Sequence, residues 1–384
     1  MQNIAYLIFG MAIISVFYVY VGYPLLAYIV GYLFPKPVNC ASTIPPVSII
    51  ITAYNEEKDI RKKLENTLLI DYPREKREII VVSDASTDRT EEIAGEYESQ
   101  GVVVIRQSKR AGKTSAQNLA VQRAAGEIIL FSDATTMYER NVLRAMLPNF
   151  ADITVGCVAG KLIYVDPSET NVGKGAKRYC SYETFIKESE STARSLIGVS
   201  GCLYAVRKSA YQPMYPEACS DFLIATLLYK QGLRTIYEPN AVCTEETNSQ
   251  SEEEMRMRIR VISQTLGDLW RNREMLNPFQ HGFFAVELIS HKLLRYSVPV
   301  FLLLAAVSCV ILAFHSTFFL VVLALQVMFY LMALVAWLLE IRGVKAGFLA
   351  IPFYFVVANV ASVAGFYKFL TGERFASWEP SRSD

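Results

Sequence analysis

The sequence predicts an α/β domain built on a Rossmann-like, mostly parallel sheet and flanked by transmembrane helices. Apolar runs of strand length alternate with helical patterns over short connections after residue 45, which is typical of parallel sheets with right-handed crossovers. The hydrophobic fraction of 52% is high for a soluble protein, and the excess lies at the two ends of the 384-residue chain. A polar segment between two apolar zones indicates a membrane-anchored protein.

The N-terminal apolar zone predicts a retained anchor over residues 1–36. The stretch from Ile4 to Phe34 carries no charge and is long enough to span a bilayer with some tilt. The basic leading region and the small-residue cleavage site of a signal peptide are missing. Lys and Arg follow the stretch but do not precede it, so the positive-inside rule predicts a cytosolic central domain.

Charge and cysteine content exclude several other classes of protein. The net charge of +1 provides no electrostatic case for nucleic-acid binding. The seven cysteines are scattered without a C-x-x-C or zinc-site spacing, so we expect small core residues in a reducing compartment.

A proline-rich linker at residues 35–46 leads into four predicted strands. The strands are expected at residues 47–53, 78–84 and 102–106, with a fourth ending at Asp133. Helices are expected between them at residues 54–69, 86–100 and 114–125. The first strand is apolar throughout, as in a parallel strand that is covered on both faces.

Polar residues mark three of these strand ends. Asn55 and Glu56 follow the first strand, Asp84 the second and Asp133 the fourth, while Lys113 lies in a basic glycine loop. One such end could simply cap a helix, but the carboxyl ends of parallel strands meet at one edge, where ligands bind. Three acidic ends with a basic loop predict a nucleotide-diphosphate site.

Two common nucleotide motifs are absent at this edge. A dinucleotide-binding turn would carry G-x-G-x-x-G after the first strand, where this chain has A-Y-N-E. A P-loop would carry G-x-x-x-x-G-K-[ST], of which only the final G-K-T is present. Dehydrogenase and P-loop functions are therefore disfavoured.

The motifs together resemble the family 2 glycosyltransferases of the GT-A fold. The resemblance rests on V-S-I-I-I-T-A-Y-N-E-E, V-V-S-D-A-S-T-D, G-K-T-S-A-Q-N, F-S-D-A-T, G-V-S-G-C-L-Y-A-V-R, S-D-F-L and G-L-R-T-I-Y-E-P-N-A, in this order. It covers residues 45 to about 270, and it predicts a GT-A domain at residues 45–275 that transfers a sugar with inversion.

The resemblance implies a donor-nucleotide site. Its base-binding and phosphate-facing positions fall on Tyr54, Asn55, Glu56, Asp84, Lys113, Asn118 and Asp133. Asp133 matches the first Asp of the family's D-x-D metal motif, but Thr135 replaces the second. The resemblance therefore implies a divalent metal. Thr135 weakens that implication, because a hydroxyl is a poorer ligand than a carboxylate for Mg²⁺ or Mn²⁺. Glu245 or Glu246 is either a further carboxylate ligand or part of a solvated acidic turn.

Asp221 matches the family's general base. One carboxylate that deprotonates the acceptor hydroxyl suffices for a single inverting displacement, although Ser220 and Asp221 would also serve as the start of a helix. Further candidates for acceptor or diphosphate contact are Gly201, Cys202, Ser220, Arg256 and Arg258. Arg260 belongs to the same run of arginines, for which a solvated face or a contact with lipid headgroups is the alternative. A helix is expected over residues 179–194, either lining an acceptor channel or lying at the surface.

The processive members of the family, such as cellulose, chitin and hyaluronan synthases, carry Q-x-x-R-W after this region, and this chain lacks it. We therefore expect single-sugar addition to a lipid-linked or saccharide acceptor, with a UDP-sugar donor, in polysaccharide or glycolipid biosynthesis. A processive polysaccharide synthase is the alternative. A sugar nucleotidyltransferase and a non-catalytic membrane scaffold are alternatives of other classes.

The C-terminal zone predicts an interfacial amphipathic helix at residues 278–296 and membrane helices within 297–370. Its histidines are expected to be interfacial polar residues. The 371–384 tail would be outside after three full crossings, but its basic residues favour the inside, as does the resemblance of Trp378-Glu379-Pro380 to a cytosolic segment of larger synthases. A re-entrant last segment is the alternative. The predicted location is a bacterial inner membrane.

Overall fold

The computed structural model describes residues 2–166, 170–248 and 250–375, so Trp378-Glu379-Pro380 lies outside the described residues. Eight strands form one sheet in the order β3-β2-β1-β4-β7-β6-β8-β5. Their bounds are β1 Val47–Ala53, β2 Arg77–Ser83, β3 Val102–Arg106, β4 Ile128–Asp133, β5 Met137–Tyr138, β6 Val155–Val165, β7 Tyr204–Arg207 and β8 Arg234–Glu246.

The first four strands are parallel, as predicted, with β1 at their centre between β2 and β4. The sheet becomes mixed where β7 pairs antiparallel with both β4 and β6, and β6 then runs parallel to β8. Every residue of β1 is buried; Ile49 packs in one core layer and Ile50 in the layer on the opposite face. This two-sided burial explains the uninterrupted apolar run.

Helices cover both faces of the sheet and continue into the apolar zones. Their bounds are α1 Gln2–Phe17, α2 Tyr23–Leu33, α3 Ile60–Leu68, α4 Thr90–Gly95, α5 Lys113–Arg123, α6 Val142–Met146, α7 Asn171–Ala193, α8 Ser220–Lys230, α9 Ser251–Arg271, α10 Pro278–His281, α11 Phe283–Glu287, α12 Val298–Ala313, α13 Thr317–Ile341 and α14 Ala350–Leu370. One π-helical stretch, Tyr18–Gly22, joins α1 to α2, and another, Leu288–Leu294, follows α11.

Two helices begin later than the sequence predicted, α3 at residue 60 and not 54, and α4 at residue 90 and not 86. The chain after β1 forms a turn through Asn55, whose φ is 54°, before α3 begins at Ile60. The chain after β2 likewise delays α4 to Thr90 because its turn is hydrogen-bonded to the β1 turn. The turns after β1 and β2 therefore lie at the carboxyl edge of the sheet and are not part of the helices that follow.

Three helical segments of the described chain are long and apolar enough to cross a membrane: Gln2–Leu33, Thr317–Ile341 and Gly347–Leu370. A fourth is possible if Phe283–Leu294 and Val298–Ala313, which are bent by 58° relative to each other, form one span. These helices agree with the predicted membrane zones.

Both ends of α14 lie beside α9 of the central domain. Near its start, Tyr354 donates a hydrogen bond to Glu254 (3.0 Å). Beyond its end, the carbonyl of Phe375 accepts a hydrogen bond from Gln264 of α9 (2.6 Å). α14 therefore packs along α9, and the chain just after α14 stays in contact with the central domain.

The segment predicted as one interfacial helix, residues 278–296, is instead broken into α10, α11 and a π-helical turn, and its polar side chains are partly buried. His291 is only 4% exposed and lies between two carboxylates of α7, Glu190 (2.6 Å) and Glu183 (3.2 Å). Glu190 also accepts a hydrogen bond from Tyr23 of α2 (2.5 Å). A histidine expected at the membrane interface thus belongs to a buried polar junction between three segments of the chain.

Candidate active site

The ends of β1 and β2 are hydrogen-bonded to each other. The side-chain oxygen of Asn55 accepts from the amide of Thr87 (2.8 Å), and the amide of Asn55 donates to Ser86 (3.1 Å). The guanidinium of Arg110 lies 3.9 Å from the centre of the Tyr54 ring, which brings the basic loop over this edge. The predicted base-binding residues after β1 are therefore held at the sheet edge beside the basic loop.

Asp84 is fully buried and its carboxylate faces the basic loop. Its oxygens accept from the side chain of Gln107 and from the amides of Ala111 and Gly112, at 2.7 to 2.9 Å. These contacts shape the loop that leads into Lys113. In this conformation Asp84 orders the loop and does not present a free carboxylate to a nucleotide base.

Lys113, Asp133 and Asp221 converge around Gly201. The ammonium of Lys113 pairs with Asp133 and donates to the carbonyl of Gly201 (3.3 Å). A Cβ added at Gly201 would lie 3.1 Å from Oδ2 of Asp221 and 3.2 Å from Nζ of Lys113. Burial alone would lower the pKa of Lys113, but the carboxylates of Asp133 and Asp221 raise it above its ordinary value. The predicted base and the predicted phosphate-binding residues therefore share one site.

Asp221 lies in the first turn of α8, where the helix dipole favours a carboxylate. Its Oδ1 accepts from the thiol of Cys219 (2.9 Å), and the amide of Cys219 donates to Asp268 of α9 (3.0 Å). Asp268 also accepts from the hydroxyl of Tyr215. Asp268 therefore holds the segment that orients the candidate base, and burial raises its own pKa to about 7.

A second carboxylate lies beside the altered D-x-D position. β5 pairs with β8, which brings Glu245 within 3.1 Å of the hydroxyl of Thr135. No group of three His, Cys, Asp or Glu side chains arranged to hold a metal occurs within the described ranges. Mg²⁺ is commonly held by one or two carboxylates together with substrate phosphates, so Asp133, Glu245 and Thr135 fit a divalent ion that a diphosphate helps to bind.

Lys63 of α3 was not among the predicted site residues. It lies behind the loop that joins β4 to β5. It is completely buried, donates to the carbonyl of Thr136 (2.6 Å) and lies 3.6 Å from the centre of the Tyr138 ring. Burial lowers the pKa of Lys63 to about 7, against the fields of Asp133 and Glu245. A sequence signal existed, because a charged residue one position before Leu64 falls on the apolar face of the helix.

The three closely spaced arginines on α9 have different surroundings. Arg258 pairs with Glu254 (2.8 Å) and donates to Tyr354, and Arg256 is exposed. Arg260 lies within electrostatic range of Cys219, Asp221 and Asp133 and makes no ion pair with any residue that the structure describes. Of these three arginines, Arg258 is therefore engaged in an ion pair within α9, and Arg260 remains the candidate for diphosphate contact.

Three other predicted residues have structural partners. The amide of Asn118 donates to the carbonyl of Met214 (2.6 Å) and its oxygen accepts from Tyr211 (2.9 Å). The thiol of Cys202 is buried 3.7 Å from that of Cys243, and Ser220 is buried at the start of α8. Each of these side chains is therefore held by contacts within the domain, and their part in donor or acceptor binding stays a prediction.

Comparisons with known proteins agree with this architecture. Residues 48–213 match the model of the Glycosyl transferase family 2 family. The poly-beta-1,6-N-acetyl-D-glucosamine synthase of Staphylococcus aureus (strain COL) is 26% identical over 244 residues, which cover 62% of this chain and 55% of the relative. Glycosyltransferase AglE of Haloferax volcanii is 31% identical over 153 residues, which cover 39% of this chain and 49% of the relative. The chain thus spans about half the length of the curated relatives it matches.

Among solved structures, the mannosyltransferase PcManGT from Pyrobaculum calidifontis, in complex with GDP-Man and Mn²⁺, has a TM-score of 0.72. The likeness covers 96% of this chain and 100% of the other, at 24% sequence identity, and it shows the fold. Together with the family match, it confirms the predicted architecture. Residues 48–213 therefore form a family 2 glycosyltransferase domain with the GT-A fold.

Proposed function

We propose that the chain transfers a sugar, with inversion, from a nucleotide-sugar donor to a hydroxyl of a lipid-linked or saccharide acceptor at the membrane surface. The observation that supports this proposal is the convergence of Asp221, Lys113 and Asp133 around Gly201. A carboxylate beside a diphosphate site is the minimum that an inverting displacement requires. Polysaccharide or glycolipid assembly in the cell envelope is the proposed role.

The donor would lie along the sheet edge. Its base would contact the turn at Tyr54, Asn55 and Glu56, and its diphosphate would face Lys113 and Arg260. A UDP-sugar remains our first candidate from the sequence resemblance. The GDP-Man in the mannosyltransferase structure makes GDP-mannose the first competitor to test.

A divalent metal would be held by Asp133, Glu245 and the hydroxyl of Thr135. When bound, it would neutralise charge on the diphosphate leaving group. Lys113, which pairs with Asp133 here, would remain as a second positive charge at the same place. The site would therefore depend less on the metal than a site with two aspartates in the D-x-D motif.

Asp221 would act as the general base through Oδ2, because Oδ1 already accepts from the thiol of Cys219 while Oδ2 is directed at Gly201. The acceptor hydroxyl loses its proton to Oδ2 as its oxygen bonds to the anomeric carbon. The bond from that carbon to the diphosphate oxygen breaks, and its electron pair leaves with the nucleoside diphosphate. Attack opposite the leaving group inverts the anomeric configuration.

The test is the Asp221→Asn variant of the full-length protein, assayed against a panel of nucleotide-sugars with and without Mn²⁺. We expect nucleotide-induced thermal stabilisation to be retained and sugar transfer to be lost. Glu217→Gln, in the loop before α8, is the matched control and should behave as the wild type. Transfer at near wild-type rates by Asp221→Asn would overturn the assignment of the base.

A processive polysaccharide synthase is the second candidate, favoured by the similarity to the S. aureus synthase. The absence of Q-x-x-R-W argues for single addition. Product length on purified protein distinguishes the two, since a ladder of long products would support the processive candidate. A nucleotidyltransferase would instead release pyrophosphate, and a scaffold would neither hydrolyse nor transfer the donor sugar.

We further propose that the catalytic domain lies in the cytosol at a bacterial inner membrane and that α14 does not cross the bilayer. The proposal is supported by the contacts of α14 with α9 near both of its ends, because α9 belongs to the catalytic domain. α14 is one unbroken helix, so it would lie along the catalytic domain and not re-enter the membrane, and the start of the tail would lie with the catalytic domain. The basic residues Lys368 and Arg374 agree with this placement.

A further inference from the structure

Lys292 is a cation that has no hydrogen bond or ion pair among the described residues and lies near the residue that follows the candidate base. It lies in the π-helical turn Leu288–Leu294 and is only partly buried. It makes no hydrogen bond or ion pair with the part of the chain that the structure describes. An ammonium group has three donors and no acceptor, so all three remain available to a ligand.

The neighbouring cations are already neutralised. Arg295 pairs with Glu183 at 2.5 Å, and the same carboxylate lies 3.2 Å from His291. His291 also contacts Glu190 at 2.6 Å. Glu183 is within electrostatic range of Lys292 but its oxygens are taken by the other two side chains.

Lys292 lies close to the helix that carries the candidate base. Its Nζ lies 5.7 Å from the centre of the Phe222 ring, and Phe222 directly follows Asp221 in α8. Tyr179 and Tyr296 are also within its electrostatic range. Lys292 therefore lies near aromatic side chains, one of which belongs to the residue that follows the candidate base.

Lys292 lies in a segment that leads into an apolar helix of membrane-spanning composition. The segment Phe283–Leu294 leads, after a bend of 58°, into the apolar helix α12. A charged side chain in such a segment is costly unless it meets an anion or water. A ligand that reaches Lys292 from this direction would combine a lipid with a negative charge.

We propose that Lys292 binds the phosphate of a lipid-linked acceptor and thereby places the acceptor's sugar hydroxyl towards Asp221. Phosphate oxygens accept charge-assisted hydrogen bonds, and a lysine serves as a point-charge partner for them. This inference rests on the proposed function, since it specifies which of the two acceptor classes the site takes. Lys292 is a binding and positioning residue here, and Asp221 keeps the chemical role.

The test measures binding of geranylgeranyl diphosphate to the full-length protein in a neutral detergent. Loss of a charge-assisted hydrogen bond worth about 1.5–3 kcal/mol corresponds to about a 10- to 100-fold weaker Kd in Lys292→Met. Lys292→Arg should recover most of the affinity, and Lys177→Met, which removes an exposed lysine of α7, should leave it unchanged. Geranylgeraniol and inorganic pyrophosphate should each bind more weakly than the complete probe. Equal affinity of the wild type and Lys292→Met would overturn the inference.

Nanodiscs distinguish an acceptor phosphate from a phospholipid headgroup. If phosphatidylglycerol displaces the probe while phosphatidylcholine does not, Lys292 is a headgroup contact and the inference is wrong. Retention of the probe in both lipids supports it. Donor binding is measured separately, by nucleotide-sugar thermal shifts on the same preparation. Absence of donor binding would overturn the proposed function. Lipid binding that does not depend on Lys292 would overturn only this inference.

Discussion

The Lys63→Met variant tests whether the buried amine behind the donor site titrates near neutral pH. Methionine is unbranched and apolar, so it can occupy the space of the lysine stem without a charge. The ordinary lysine pKa of 10.5 is lowered by burial to about 7 in the folded protein. Between these two values the unfolded chain keeps a proton that the folded chain has released.

The sign of the effect follows from this difference in bound protons. Because the unfolded state binds more protons between about pH 7 and about pH 10, the free energy of unfolding of the wild type rises with pH in this window. Each pH unit contributes about 1.4 kcal/mol, which amounts to about 3 kcal/mol between about pH 7 and about pH 9. At and below about pH 7 this contribution is absent, because both states are then largely protonated.

The variant lacks this pH-dependent contribution but also loses the hydrogen bond from Lys63 to the carbonyl of Thr136, which is worth about 1 kcal/mol. We therefore expect the stability of Lys63→Met relative to the wild type to be highest near neutral pH and to fall by about 3 kcal/mol as the pH rises by about two units. Sugar transfer should be reduced at every pH, since the loop carrying Asp133 loses an anchor.

The assay is thermal unfolding of both proteins in the same detergent across this pH range. For a chain of this size about 3 kcal/mol corresponds to roughly 3–5 °C in Tm. Lys62→Met removes the exposed neighbouring lysine and should show no pH-dependent difference from the wild type. A Tm difference between Lys63→Met and the wild type that stays constant with pH would refute the argument that Lys63 titrates there.

Three further predictions follow from the site and the membrane helices. Gly201→Ala should lower kcat through about 1–3 kcal/mol of crowding against the base, whereas Gly198→Ala, whose added Cβ has no contact closer than 3.5 Å, should keep wild-type kinetics; equal effects of the two would contradict the geometry. Glu245→Gln should weaken Mn²⁺ binding in the presence of a nucleoside diphosphate, measured by calorimetry, and an unchanged Kd would exclude Glu245 as a ligand. Single cysteines can be introduced at Glu373 and Ser316 after removal of the exposed native cysteine. We expect the two to be labelled from opposite faces of the membrane. Labelling from the same face would require α14 to cross.

The local pattern of the sequence was sufficient for the parallel half of the fold. β1 and β4 are buried and apolar along nearly their whole length, so hydrophobicity alone revealed them. Their polar ends, Asn55 and Asp133, are adjacent along the edge because parallel strands align their carboxyl ends. The resemblance selected Asp221, and the structure places it beside Lys113.

Hydrophobicity along the chain could not predict the antiparallel pairing of β7 with β4 and β6. β7 is only four residues long and pairs with strands distant in sequence. The pairing of β5 with β8 is what brings Glu245 to Thr135. A single sequence shows that two acidic residues follow each other at 245 and 246 but not which of them turns towards the donor site. That choice depends on the register of a strand pair.

By itself the sequence predicted the apolar membrane-length helices, the polar edge of the parallel strands and the candidate base, because these depend on runs and motifs of neighbouring residues. Only the tertiary structure decided that Arg258 pairs with Glu254 while Arg260 lies within electrostatic range of Asp221, and that Lys63 is bonded to the carbonyl of Thr136 in the loop after β4. Only the tertiary structure also brought both ends of α14 to α9. The physical reason is that helix orientation and side-chain pairing are set by contacts between segments far apart in the chain, and hydropathy does not encode them.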